Sequence, residues 1–370
     1  MCLVAGVLSP GHTMTLKNRY PVRIETVLVL IALTLVAASS AQAQLTFAFN
    51  YTADIDPRAL AGFQTAANRW SGIFNDPINV KINIGFQTLA TNIIGSTSTT
   101  QGTFSYSSYK SFLTADRTSA ADFLAVSSLP SGPSFNLLLN RTSNSPFGSG
   151  SATPYLDNDG DANNTRIRLT LANARALGIY QPTGGLTDAT INFSSAFNFD
   201  FNPDDGIDSN AIDFVGVATH EIGHALGFTS GVNYLDTLTT PTTDDSLTYV
   251  SPLDLYRYSV DSYRLGANDW TADKRAKYFS IDGGKTALAL FSTGSANGDG
   301  HQASHWKDNY GFGIMDPTTG YGELDKIGSL DITALDVIGF NVAIPEPSTY
   351  GLFGALLLAA AVIVRRKRRQ

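Results

Sequence analysis

Val217 to Gly231 reads VATHEIGHALGFTSG, and three of its side chains have the types and spacing to do chemistry together. His220 and His224 stand four residues apart, so on an α-helix they share a face and their imidazoles can converge on one cation. Glu221, one position on, can reach water at that cation without being forced to ligate it. The pattern H-E-x-x-H therefore describes metal-assisted hydrolysis, with two nitrogen ligands for a zinc ion and a carboxylate to move a proton. The surrounding residues Phe214, Val217, Ala218, Ile222, Ala225 and Leu226 are apolar and fit a buried helix.

A catalytic zinc takes three protein ligands and keeps another position open, so one donor is missing. The chain has five histidines. His12 falls in an N-terminal export segment, which leaves His301 and His305, both within GDGHQASHWKDNYGFGIMDP. Asp236, Asp244, Asp245 and Asp254 lie between the helix and these histidines, and carboxylate also binds zinc. Residue chemistry alone leaves all of them open.

H-E-I-G-H-A-L-G-F, followed by His305-Trp306 and then by Gly313-Ile-Met-Asp-Pro317, resembles the metzincin metalloproteases. In that family a glycine ends the active-site helix, a third histidine completes the zinc site and a methionine turn lies beneath it. The short form of the motif places the third ligand three residues after the glycine, where this chain has Ser230, a poor zinc ligand. His305, 81 positions beyond His224 and ten before Met315, is similar instead to the leishmanolysin-type members, which carry a long insertion there. The resemblance implies His220, His224 and His305 as zinc ligands with His301 in reserve, Met315 in the methionine turn, and Glu221 as general base of an endopeptidase acting on protein or peptide substrates. It implies an α+β zincin fold: a twisted mixed sheet with helices, an active-site helix and a smaller C-terminal subdomain. Pro317 departs from those metzincins that place a tyrosine two residues after the methionine. Two other classes compete: a non-catalytic matrix or adhesion protein on a degenerate zincin fold, and a secreted calcium-binding structural module.

The elements that must position these residues are partly visible. Asp56 to Asn75 has an Asp-Pro start and apolar residues at helical spacing, which predicts an amphipathic helix. Ile78 to Ile84 alternates like a half-buried strand, and Gly95 to Ser105, rich in Ser, Thr and Gly, reads as a loop. Helical segments follow to about Leu129; Phe135 to Leu139 and Arg166 to Leu171 read as strands, with a short helix after the second. Ala189 to Ser194 reads as a strand and is the candidate edge for pairing with extended substrate. Asp157, Asp159 and Asp161 alternate in an oxygen-rich loop that could hold calcium, as could Asn202 to Asn210; a plain Asp/Gly/Asn turn is the alternative for both.

The ends read as sorting signals. Lys17, Arg19 and Arg23 precede an apolar run from Thr26 to Ala37 and an Ala41-Gln42-Ala43 cleavage site, so residues 1–43 are expected to be a signal peptide, with Met1 or Met14 as the start. Within 343–370, Pro345-Glu346-Pro347, an apolar run from Tyr350 to Val364 and an Arg-rich end resemble the PEP-CTERM sorting signal of Gram-negative bacteria. That resemblance implies cutting by an exosortase; a plain C-terminal transmembrane anchor is the alternative. Either places the body, residues 44–342, outside the cytoplasm, with membrane contact only through the C-terminal segment. Between residues 44 and 364, 17 basic side chains face 31 acidic ones, which disfavours nucleic acid as a partner. The single cysteine, Cys2, leaves with the signal, so disulfides and thiol chemistry are excluded from the exported body. Only about a dozen residues separate Gln44 from the first helix, too few for a folded inhibitory pro-domain.

Overall fold

Asp56 starts the first long helix, accepting a hydrogen bond from the Arg58 amide at 2.8 Å, and Pro57 occupies the first helical position, where a missing N–H does no harm. Ala59, Phe63, Ala66, Ala67 and Trp70 recur on one face and are buried. Each large apolar side chain so buried contributes about 1.5–3 kcal/mol. The computed structural model describes residues 44–181 and 184–343. The expected signal peptide and nearly all of the expected sorting segment lie outside the described residues. Among the described residues no helix is long and apolar enough to cross a membrane.

Along the chain the elements are β1 (Thr46–Asn50), α1 (Pro57–Ser71), β2 (Asn79–Gln87), β3 (Gly95–Thr99), β4 (Gln101–Ser105), α2 (Tyr106–Asp116) and α3 (Ala120–Ser128). Then come β5 (Leu137–Leu139), β6 (Tyr155–Asp157), α4 (Ala162–Thr165), β7 (Arg166–Thr170), α5 (Leu171–Ala176), β8 (Ala189–Ser194), β9 (Phe199–Asp200) and β10 (Ile212–Asp213). The last part holds α6 (Phe214–Leu226), α7 (Val232–Asp236), β11 (Arg257–Tyr258), α8 (Val260–Arg264), β12 (Asn268–Asp269), β13 (Lys277–Phe279), β14 (Ala289–Phe291) and α9 (Ser329–Asp336). The fold is mixed α+β with open sheets.

The principal sheet has the order β1-β2-β8-β3. β1, β2 and β8 run parallel, and β3 runs antiparallel to β8 from Gly95 opposite Phe193 to Thr99 opposite Ala189. Two sequence expectations change here. The Ser/Thr/Gly stretch expected as a loop forms the strands β3 and β4, because β8 and β7 supply backbone partners that no hydrophobic alternation advertises. Ala189–Ser194 is a central strand rather than the edge; β3 takes that place.

α1 and α6 pack against one another on this sheet. Trp70 Nε1 donates to the Thr219 carbonyl at 2.9 Å, and a Cβ on Gly62 would lie 2.5 Å from the Phe214 ring. Phe63, Phe193 and Phe199 surround Phe214, with ring centroids 4.5–5.5 Å from it. That aromatic cluster fixes the start of α6 over the sheet.

The last described residues return to the end of α1. Asn75 donates to the Asn341 carbonyl at 3.0 Å and Ala343 to that of Ile73 at 2.7 Å. Around this seam gather Asp76, Asp116, Asp122 and Asp336, none of them ion-paired with Lys or Arg among the described residues. Burial pushes Asp76 and Asp336 up to about 7, and it raises Asp116 and Asp122 as well. Neighbouring carboxylates add to the rise at Asp336. A carboxyl whose folded-state pKa lies above its unfolded value binds its proton more tightly when folded, so it withdraws stability as pH rises through that interval. Asp336→Asn removes one such group. Its Tm relative to the unchanged protein should rise between about pH 5 and pH 8 in thermal melts, and a difference flat across that range would contradict the assignment.

Candidate metal centre

α6 begins at Asp213, whose Oδ1 accepts from the Gly216 amide at 2.8 Å. It is buried on nearly all sides, with only His220 and His224 keeping a partly exposed edge. It ends at Gly227, held at φ 137°, a conformation that a side chain would strain. That turn brings the Phe228 carbonyl under the helix, where His224 Nδ1 donates to it at 2.7 Å. Gly223, between the two histidines, leaves room for Met315: a Cβ there would lie 2.5 Å from Met315 Sδ. Met315 is fully buried, and the Ile314 carbonyl beside it accepts from His220 Nδ1 at 2.7 Å.

The third imidazole arrives from far along the chain. Ser292 in the segment after β14 donates its amide to the His305 carbonyl at 3.0 Å and its hydroxyl to that of Trp306 at 2.7 Å. Arg257, fully buried, donates to the carbonyls of Ser292 and Ala303 at 2.8 and 3.3 Å. His305 Nδ1 donates to the Gln302 carbonyl at 3.2 Å. The Nε2 atoms of His220, His224 and His305 then lie 3.1–3.2 Å from one another.

These three close contacts are not hydrogen bonds between neutral rings. Each Nδ1 faces a carbonyl, which can only accept, so each Nδ1 carries the proton and each Nε2 presents a lone pair. Burial holds all three pKa values down, that of His224 to about 3, with neighbouring imidazoles adding to the shift at His224 and His305. Three inward lone pairs repel unless a cation lies between them. The donor set fits zinc: tetrahedral arms of about 2.0–2.1 Å have edges of about 3.3 Å, close to the observed spacing.

Glu221 follows His220 on α6 and is 5% exposed. Burial pushes its carboxyl up to about 7, opposed by the Thr97 hydroxyl, which stands 2.5 Å from Oε2. The other candidate ligands go elsewhere. Ser230 donates to Asp254 at 2.6 Å, and the second Asp254 oxygen accepts from Gly231, Ser251 and Trp270. Asp236 caps the amides of Ala296 and Asn297, Asp244 meets Asn144 and Tyr155, and His301 stands 3.5 Å from Asp308. The Asp-rich loop divides: Asp157 turns inward to the Asn163 and Asn164 amides, whereas Asp159 and Asp161 meet Asp245 from the segment between His224 and His305. Exposed acidic groups of this sort also gather without an ion, and calcium stays an expectation of the sequence. Asp200, beside the second loop, accepts from the Asn202 and Asp208 amides in an ordinary turn.

Sequence reasoning missed Asp331. This fully buried carboxylate on α9 accepts from Trp306 Nε1, Ile314 N and Gly328 N at 2.7 Å each, and from Met315 N at 3.3 Å. It joins the segment after His305 to the turn whose carbonyl aims His220. In the sequence it looks like an ordinary acid in the first turn of a helix. No family model matches this chain, and neither does any curated protein or solved structure, so the functional argument stands on the geometry.

Removing the Asp331 acceptor strands several buried donors at once. Asp331→Ala should lower Tm and, if the three imidazoles hold zinc, weaken that binding by about tenfold or more, because partners that orient metal ligands act at that scale. Zinc titration of the purified variant checks this; wild-type affinity would show that the turn keeps its geometry unaided.

Proposed function

We propose that this chain is a zinc-dependent endopeptidase of metzincin-like zincin architecture. The observation that carries the reading is the convergence of three Nε2 lone pairs, each imidazole locked through Nδ1 to a backbone carbonyl, next to a buried glutamate. His220, His224 and His305 would hold the ion. A bound zinc ion supplies Lewis acidity toward a substrate carbonyl and acidifies water at its open position.

The chain's own residues do the rest. β3 is an edge strand beside α6, and its free backbone groups offer an extended peptide the hydrogen bonds of one further strand. Glu221 takes a proton from the attacking water and returns it to the departing amine nitrogen. Its raised pKa suits a group that must both accept and release a proton near neutrality, and a neighbouring dication would draw that pKa back down. Met315 packs against Gly223 and keeps the floor of the site apolar.

We also infer export, from the charged-then-apolar start and the Pro-Glu-Pro, apolar and Arg-rich end. An exosortase-type enzyme would process that end at the surface of a Gram-negative cell.

Zinc analysis and casein hydrolysis on purified variants test the catalytic reading. Glu221→Ala should keep about one zinc per chain and lose hydrolysis, since it removes the base and leaves the imidazoles. His305→Ala should lose both, and His301→Ala should keep both. Zinc retained by His305→Ala would remove that residue from the site. Deleting residues 345–370 should release active protein into the medium, and equal cell association after the deletion would count against the sorting reading.

A further inference from the structure

β3 exposes Ser96 and Ser98 and turns Gly95, Thr97 and Thr99 inward, the alternation that a strand imposes. Two of the inward positions touch the same carboxylate. A Cβ on Gly95 would lie 2.6 Å from Glu221 Oε1 and 3.0 Å from Val217 Cγ1, so only a glycine lets the carboxylate lie against the strand. Thr97 Oγ1 stands 2.5 Å from Glu221 Oε2 and 3.0 Å from the Glu221 carbonyl. The hydroxyl has a single proton for these two acceptors, and an ionised carboxylate is the stronger one. Among the described residues nothing donates to Oε1.

We propose that Thr97 is a positioning residue for the reaction: its hydroxyl pins Glu221 Oε2 to the edge strand and leaves Oε1 as the oxygen that exchanges the proton. This rests on the hydrolytic reading above. Oε1 takes the proton of the attacking water and passes it to the amine nitrogen as the C–N bond breaks, while Oε2 keeps its hydrogen bond to Thr97 in both protonation states. The strand that offers its edge to substrate thus also holds the base, and one rigid element sets the distance between them. Gly95 and Thr97, two residues apart on one face of β3, form the slot.

Thr97→Val keeps the shape and removes the hydroxyl, and Thr97→Ser keeps the hydroxyl. In the zinc-loaded enzyme, Thr97→Val should lower kcat by about tenfold to a hundredfold, the scale of a hydrogen bond to a charged group. KM and zinc content should stay unchanged, and Thr97→Ser should recover most of kcat. A second readout needs neither zinc nor activity. In metal-free protein, Thr97→Val should lower Tm clearly more when Glu221 is present than in a Glu221→Ala background, where only the backbone carbonyl of residue 221 is left to accept from the hydroxyl. Unchanged kcat in Thr97→Val, no recovery in Thr97→Ser, or equal Tm losses in both backgrounds would each overturn the proposal. If the unaltered chain neither binds zinc nor cleaves casein, the protease reading fails by itself, and the metal-free cycle still decides whether Thr97 holds Glu221.

Discussion

Three imidazole lone pairs aimed at one point repel each other, and the architecture around α6 is a set of devices for holding them there. The aim comes from backbone carbonyls, because a ring whose Nδ1 donates to a carbonyl has its tautomer and its plane fixed together. Each carbonyl belongs to a different turn: the glycine turn after α6 for His224, the methionine turn for His220, the loop before His305 for His305. Those turns must hold position against the repulsion in the absence of a cation. Buried carboxylates do this. Asp331 gathers amides of the methionine turn with the indole after His305, and Asp254 gathers amides and an indole around the chain leaving α6. A carboxylate with several N–H donors satisfies its own charge locally, which is why it tolerates burial there.

Close approach is the second device, and it depends on side chains that are absent. Gly62 admits Phe214, Gly223 admits Met315, and Gly95 admits the Glu221 carboxylate. These glycines bring α1, the methionine turn and β3 in toward α6 from separate directions. A methyl group at Gly223 or Gly95 would displace Met315 or the Glu221 carboxylate rather than open a void. α6 thus tolerates a glycine in its interior, which by itself costs about 1 kcal/mol, because packing against it requires one.

What was legible in the sequence follows the range of the interaction. α1 announced itself through Asp56-Pro57 and its apolar face, and α6 through H-E-x-x-H and Gly227, because caps and amphipathic periods are local. β3 did not, because its strand character comes from β8 and its half-buried inward face touches a carboxylate and a valine instead of a broad apolar core. Thr97 reaches Glu221 across 124 residues, and nothing about a threonine among serines signals that. His301 and His305 were both legible as donors. Only the packing separated them: strand-like contacts at Ser292 and Trp306 turn His305 inward, whereas His301 pairs with Gly294 and faces Asp308. The Asp-rich loop shows the opposite failure, since alternation grouped Asp157 with Asp159 and Asp161, and the fold gave Asp157 to two asparagine amides.

The long spacing between His224 and His305 is less of a burden than it looks. Closing a flexible loop costs about 0.6 kcal/mol more for each doubling of its length, so a span of about eighty residues costs only about 2–3 kcal/mol more than one of about five. A loose loop of that size would still fail, because a ligand displaced by an ångström loses its geometry. The segment between the two histidines avoids this through fixed contacts within itself and with the rest of the fold: Asp254 ties Ser230 and Gly231 to Trp270, Asp236 ties α7 to the segment before His301, Arg257 ties β11 to the carbonyls of Ser292 and Ala303, and β12 pairs with β5. The aspartates that rivalled His305 as ligands in the sequence are among the residues that deliver it. Spacing along the chain is therefore weakly constrained at this site, and the direction of three backbone carbonyls is strongly constrained, so the convergence of the imidazoles depends on local turns rather than on the length of chain between them.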